Sequence, residues 1–482
     1  MTETDSRNLL RETAEIAADY IEALPERPVG RPVPVEQLRE ALGGPIPETG
    51  EAPQEVLRKL TSAAGAGVVA TTGPRYFGFV TGGNLPAAMA ADWLTALWDQ
   101  PAFGYIAAPA GAVAEEVAAD WMVALLGLGS DGRPISTGFT SGCTMGNFTA
   151  LAAARHAVLA RVGWDVEAKG LFGAPEIDVV VGGEAHASLF VSLQMVGFGR
   201  ERVRRVPADE QGRMRAEALP AVLADCRGPT IVCAQAGNVN SGAFDPLAEI
   251  AEATRAHGAW LHVDGAFGLW AAAAPGLRHL TEGLALADSW ATDAHKWLNV
   301  GYDSGLVFVA DPAAHRGAMS LSAPYLIMAE EGERDPCDWV PESSRRARGF
   351  AVYAALRSLG RKGLADLVER CCDLAKLMAA RLEAEPGISI LNEVVLNQVV
   401  VRFHAGPNGA ADPEADDAFS KEVIAAVQAE GTCWAGGTHW RDQEAMRISV
   451  SNWSTTEADI ERSAEAIIRC CRATREQTPR SN

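Results

Sequence analysis

Between about residue 76 and residue 320, short β-branched runs alternate with helix-like stretches, and this alternation constrains the fold more than any other feature. The runs are Ile177-Asp-Val-Val-Val181, Thr230-Ile-Val-Cys233, Trp260-Leu-His-Val263 and Gly305-Leu-Val-Phe-Val309; the stretches between them include Phe148 to Leu159 and Leu247 to His257. Strands that alternate with helices build a mainly parallel sheet with helices on both faces, so the expected class is α/β. From about 345 onward, helices are expected over 350–359, 365–384, 419–428 and 457–474, flanking strand-like runs at Gln398 to Phe403 and Ala445 to Val450. That pattern reads as a small C-terminal α+β domain. Residues 1–75 are helical and punctuated by proline, with an amphipathic Ala14 to Leu24 broken by Pro25 to Pro34. Such a segment has too little apolar surface to stand alone and should pack elsewhere on the protein or on a partner subunit. The expected division is 1–75, 76–345 and 346–482.

Charge narrows the partners. The 482 residues hold 42 Lys and Arg against 62 Asp and Glu, a formal charge of −20. Nucleic acid and anionic membrane surfaces both call for basic patches, so neither is expected as a partner. The first residues, Met1 to Arg7, are polar with no apolar stretch behind them, and a cytoplasmic location is expected. Nine cysteines without C-x-x-C spacing read as reduced thiols, and no metal site is expected.

The chemistry concentrates at expected strand ends, where open α/β sheets collect ligands. Lys296 sits in Asp288 to Asn299 among Ala294, Trp297 and Leu298, with His295 before it. An apolar setting of that kind can depress a lysine and let it hold an aldehyde as a Schiff base, although a snorkelling surface lysine would look the same. Asp264, 32 residues earlier, ends a strand and could pair with a protonated ring nitrogen or simply cap a helix. His186 follows the strand 177–181, where an imidazole can stack on a flat ring or be structural. Thr140-Ser-Gly-Cys-Thr-Met-Gly-Asn147 opens an Ala-rich helix whose N-terminal donors would suit a phosphate, or need only a cap. It is neither of the common nucleotide loops. Asn238 and Asn240 follow the strand 230–233 as ligand amides or turn formers, and Arg447 could grip a carboxylate or form an ion pair.

Taken in order, the Gly-rich helix start, His186, Asp264 with Ala266, and His295-Lys296 resemble the group II pyridoxal-phosphate-dependent amino acid decarboxylases, over essentially the whole chain. The resemblance implies a fold-type-I, aspartate-aminotransferase-like protomer and a homodimer with its active site at the interface. It makes Lys296 the Schiff-base lysine, Asp264 the pyridinium partner and His186 the stacking residue, with Ala266 on the opposite ring face. Gly142, Cys143, Thr144 and Asp293 fall where the family contacts the phosphate, and Asn238 where it contacts the ring. Asp293 stands where some members have Asn, and a carboxylate beside a phosphate repels it unless protonated or turned away. Asn238 stands where better-known members have Thr.

The resemblance also implies that Tyr325, ahead of the acidic segment Glu330 to Pro336, supplies a proton from a mobile loop. Keeping Tyr there favours simple decarboxylation. Tyr76, Phe77, Phe79, Trp98 and Phe103 match regions that line the substrate pocket, Phe103 from the partner subunit. Aromatic walls favour an aromatic substrate, although Arg75 could instead serve an acidic one. The expected activity is decarboxylation of an aromatic L-amino acid to amine and carbon dioxide. The rivals are an aldehyde-forming oxidative deaminase, an aminotransferase, and a cofactor-binding regulator or silent scaffold.

Overall fold

Seven short strands, most of them buried on both faces, carry the larger part of the chain. A computed structural model describes residues 3–320, 330, 332–406 and 412–477. Strands β1 (Ser136–Thr140), β2 (Asp178–Gly182), β3 (Arg204–Val206), β4 (Thr230–Gln235), β5 (Trp260–Asp264), β6 (Ser289–Asp293) and β7 (Gly305–Val309) form one sheet in the order β1-β7-β6-β5-β4-β2-β3. Neighbours run parallel from β6 to β3, while β7 runs antiparallel to both β6 and β1. The mainly parallel sheet is the one the alternation calls for. β1 and β6 carry no run of aliphatic residues: apart from Asp293 at the end of β6, Ser, Thr, Gly and Ala surround one aromatic each, and packing rather than propensity makes them strands.

The helix Cys143–Ala160 lies across β5, β6 and β7 and brings its N-terminus to the end of β1. Small residues let it approach closely. A Cβ at Gly146 would stand 3.0 Å from the Leu306 carbonyl oxygen. Ala150, Leu151 and Ala154 are buried in one cluster with Val181 and Val307, and a buried leucine of this kind contributes about 1.5–3 kcal/mol. This helix begins five residues before the expected Phe148, because Cys143 and Thr144 add a first turn that composition alone does not mark. The helical span Gly349–Glu383 is interrupted at Gly360, with φ 60° and ψ −178°, which agrees with two expected helices there.

The seven strands and the helix Cys143–Ala160 belong to one compact unit, residues 82–376 with 392–399. Inside it, Arg345 meets Glu115 through two bonds of 2.7 and 2.9 Å, both side chains being fully enclosed. Removing one partner strands a buried charge. Arg345→Met should therefore cost roughly 3–5 kcal/mol in denaturant unfolding, with most of it recovered in the double variant Glu115→Leu/Arg345→Met. Equal destabilisation in the single and double variants would contradict this.

The second unit comprises residues 1–81, 377–391 and 400–482. Its sheet runs β10-β11-β9-β8, with β8 (Ile388–Ile390), β9 (Gln398–Phe403), β10 (Gly436–Trp440) and β11 (Gln443–Ser449). The helices Pro413–Glu430 and Glu457–Gln477 pack on one another, and the first lies on β11. Residues 75–77 add a short extended piece: Trp434 N–H donates to Arg75 O at 3.1 Å, and Phe77 N–H to Trp434 O at 2.8 Å. The helix Glu3–Ala23 is amphipathic, as expected, yet no side chain from 5 to 28 is fully buried.

Candidate active site

The carboxyl ends of β1, β2, β4, β5 and β6 lie along one edge of the sheet, since all five strands point the same way. Each is followed by a residue with ligand chemistry: Cys143 after β1, His186 after β2, Asn238 after β4, Asp264 at the end of β5, and Asp293 at the end of β6. The turn after β6 carries Lys296. Ala294 and His295 donate their N–H groups to Ser304 O at 3.0 and 3.1 Å, and Gly82 N–H reaches His295 O at 3.4 Å. A Cβ at Gly82 would fall 1.8 Å from the Lys296 carbonyl oxygen, so only glycine fits there.

Lys296 Nζ lies 3.0 Å from Asp293 Oδ2. The apolar setting alone would make this amine easier to deprotonate. Burial does push it down, but Asp293, Cys143 and Asp264 together outweigh burial and hold it above the ordinary lysine value. The expectation of a depressed lysine is thus corrected for the protein without cofactor, because Asp293 is an ion-pair partner. Asp293 Oδ1 accepts the Cys143 N–H at 2.5 Å. His295 Nδ1 accepts Ser304 N–H at 3.2 Å, and its ring stacks on Tyr302 at 4.2 Å. Burial lowers its imidazole, although Asp293 pulls the other way.

Asp264 is buried and fully engaged. Its Oδ1 accepts Ala266 N–H at 3.2 Å and the Cys143 thiol at 3.4 Å, and its Oδ2 accepts Asn147 Nδ2 at 3.1 Å. Burial, then Asp264 and Asp293, raises that thiol far above its usual range, so it stays a neutral donor. Asn147 Oδ1 in turn meets His262 Nε2 at 2.9 Å, and His262 Nδ1 meets Ser289 Oγ at 3.0 Å. Asn147 and His262 lie outside the residues singled out from sequence. Their spacing carries the signal: Asn147 is one helical turn beyond Cys143, and His262 is two residues before Asp264 on the same strand face.

His186 caps the helix Ala187–Met195, with Nδ1 2.7 Å from Ser188 Oγ and 3.2 Å from Ser188 N. It lines one small cavity with Gly182, Gly212, Asp245 and Asp264. Asn238 Oδ1 accepts the N–H groups of Asn240 and Ser241, while its buried Nδ2 meets no acceptor among the described residues. Gly142 and Thr144 sit at the helix start, where Gly142 abuts Gly305 so closely that a Cβ on Gly305 would stand 2.4 Å away.

In the second unit, Trp434, which sequence reasoning did not single out, stacks on Tyr76 at 5.1 Å and meets Phe79 at 5.5 Å. Phe79 and Val80 both have positive φ, 53° and 59°, a strained backbone of the kind concentrated at functional sites. Phe77 is buried core. Arg447 pairs across β10–β11 with Gly436 and is half-buried; burial lowers its guanidinium, and it has no ionic partner among the described residues. Arg75 is committed to Thr432 O at 2.8 Å, Pro25 O at 2.6 Å and Asp459 at 3.3 Å. In the first unit, Trp98 packs edge-on against Phe350, and Phe103 O accepts Cys337 N–H at 3.0 Å. Tyr325 lies outside the described residues.

A family model for the pyridoxal-dependent decarboxylase conserved domain matches residues 35–404. The chain belongs to this family. It is 27% identical over 484 residues to tryptophan decarboxylase 1 of Oryza sativa subsp. japonica, covering 96% of this chain and 93% of that protein. It is 31% identical over 368 residues to the acidic amino acid decarboxylase GADL1 of Mus musculus, covering 75% and 65%. Among solved structures, Oryza sativa TDC with PLP and tryptamine superposes with a TM-score of 0.91 at 23% identity, over 98% of this chain and 99% of that one. The fold is therefore the fold-type-I architecture that the resemblance implied. The protein is a pyridoxal-phosphate-dependent carboxy-lyase acting on an amino acid.

The residues present suit that cofactor. A buried carboxylate at Asp264 matches a ring nitrogen that carries a proton, and the buried Nδ2 of Asn238, without an acceptor among the described residues, suits a phenolic oxygen. The donors of an 18-residue helix suit a phosphate, and Lys296 is the amine at hand.

Proposed function

We propose that the enzyme decarboxylates an aromatic L-amino acid, releasing the amine and carbon dioxide. The observation that carries this reading is the aromatic group Tyr76–Trp434–Phe79, whose Phe79 ring is 61% exposed rather than core. Tryptophan decarboxylase 1, matched along nearly its full length, supports it. An acidic substrate would need a free cation near its side chain, and Arg75 is already bound on three sides.

In this reading Lys296 holds the cofactor aldehyde, Asp264 keeps the ring nitrogen protonated, and His186 and Ala266 flank the ring. Gly142, Cys143 and Thr144 supply phosphate donors, with Asp293 and His295 beside them, and Asn238 meets the ring hydroxyl. When bound, the cofactor takes up the electron pair left by the departing carboxylate. Arg447 binds an anionic group of the substrate. Tyr325 delivers a proton to the substrate carbon that has lost carbon dioxide. Two copies are proposed to pair, with Phe103 and Trp98 near the partner's site. The exposed apolar side chains Trp93, Leu94, Leu97, Trp98 and Ile106 favour such a pairing, as does the amphipathic helix Glu3–Ala23.

Incubation with a panel of L-amino acids and analysis by mass spectrometry tests the reading. Aromatic amino acids should give amine and carbon dioxide in equal amounts, with kcat/KM exceeding that for aspartate or glutamate by roughly 100-fold or more. Preferential turnover of acidic amino acids, or aldehyde with ammonia as the product, would overturn it.

A further inference from the structure

Asp293 holds a backbone donor that a phosphate seated at this helix start would use. Its Oδ1 accepts the Cys143 N–H, a first donor of the helix Cys143–Ala160, at 2.5 Å. Its Oδ2 faces Lys296 Nζ at 3.0 Å, and it is 3% exposed. Its backbone is held, the N–H bonded to Ala266 O at 2.9 Å and the carbonyl to Trp270 Nε1 at 3.0 Å, and burial leaves the carboxylate little room to turn away. A phosphate seated on the same donor would lie against this carboxylate, and two anions at contact repel strongly in a buried site.

The charged and titratable groups around Asp293 are few. On its own loop are Lys296 and His295. The helix contributes Cys143, β5 contributes Asp264, whose charge reaches both Lys296 and Cys143, and Asp303 stands near His295. β7 offers only Gly305 opposite. His295 Nε2 lies 3.5 Å from Asp293 Oδ1, but burial lowers its imidazole, and Cys143 remains a thiol, so Lys296 is the cation in contact that can give up a proton.

Resting on the reading of Lys296 and this helix start as the cofactor's seat, we propose that Asp293 is a carboxylate in the unloaded protein and a carboxylic acid once the phosphate is seated. Lys296 passes one proton from Nζ to Asp293 Oδ2. The transfer leaves Lys296 as the free amine that condensation with an aldehyde requires. It also turns a repulsive charge into an O–H that donates to a phosphate oxygen. No proton is exchanged with solvent in this step.

Pyridoxal, which lacks the phosphate, gives no reason for Asp293 to keep that proton. The dissociation constants of pyridoxal 5'-phosphate and pyridoxal, measured by equilibrium dialysis on cofactor-stripped protein at several pH values, test the proposal. In the wild type their ratio should rise about tenfold per pH unit relative to the same ratio in Asp293→Asn, because one proton is retained only when the phosphate binds beside Asp293. Asp293→Ser should behave as Asp293→Asn does, and Asp293→Glu should restore the slope. A ratio with the same pH course in the wild type and Asp293→Asn would overturn the proton transfer. Failure of every protein to bind either aldehyde would overturn the seat itself.

Discussion

Lys296→Ala should give a folded protein that no longer holds pyridoxal phosphate covalently and whose turnover falls on the order of 10⁴-fold or more. The loop does not depend on the lysine side chain for its shape. Asn299 N–H donates to Lys296 O at 3.1 Å, Val300 N–H to Ala294 O at 3.1 Å, and Asn299 Oδ1 takes the Gly83 N–H at 2.6 Å. These are bonds of backbone and Asn299, and alanine keeps them. Asp293 loses its cation but retains the Cys143 N–H. Wild type treated with borohydride should carry a cofactor mass on Lys296, and the alanine variant none. Lys296→Arg should fail equally, since a guanidinium is not a free amine. A borohydride-fixed adduct in Lys296→Ala would show that another amine carries the cofactor.

The central sheet was legible because four of its strands are compact aliphatic runs, and the carboxyl ends of three of them led to His186, Asn238 and Asp264, while Lys296 stood out by its own apolar surroundings. β1 and β6 were hidden, since Ser136-Thr-Gly-Phe-Thr140 and Ser289-Trp-Ala-Thr-Asp293 become strands through burial between neighbours. What sequence could not supply was contact across distance. Asp293 is three residues from Lys296, yet its bond to Cys143 spans 150 residues. The Asp293 carboxylate, 3.0 Å from Lys296 Nζ, reverses the expected state of Lys296 from depressed to raised. Trp434 was missed for the same reason: its aromatic partners Tyr76 and Phe79 lie more than 350 residues earlier in the chain. Arg75 shows the reverse error, a promising cation whose partners, Thr432, Pro25 and Asp459, are remote in sequence and structural in role.

Asp264→Ala should reduce kcat by roughly 10²–10³-fold while leaving Lys296 able to hold the cofactor. The reason lies in how completely the carboxylate is supported. Cys143, Ala266 and Asn147 all donate to it, and Asn147 is itself fixed by His262. Burial lowers His262 to about 4, so at neutral pH its ring is uncharged. With Nδ1 facing Ser289, whose oxygen accepts Trp260 Nε1–H at 2.9 Å, the Nε2–H points at Asn147 Oδ1. The chain of donors therefore ends on the Asp264 carboxylate. Alanine removes the charge and leaves Asn147 and Cys143 without an acceptor, so the ring nitrogen loses the group that keeps it protonated. A coenzyme methylated at that nitrogen carries the charge permanently. Loaded with it, Asp264→Ala should regain at least tenfold of the lost kcat, while the wild type, whose carboxylate crowds the methyl, should gain nothing. Asp264→Ala with wild-type kcat on the ordinary cofactor would remove Asp264 from the reaction.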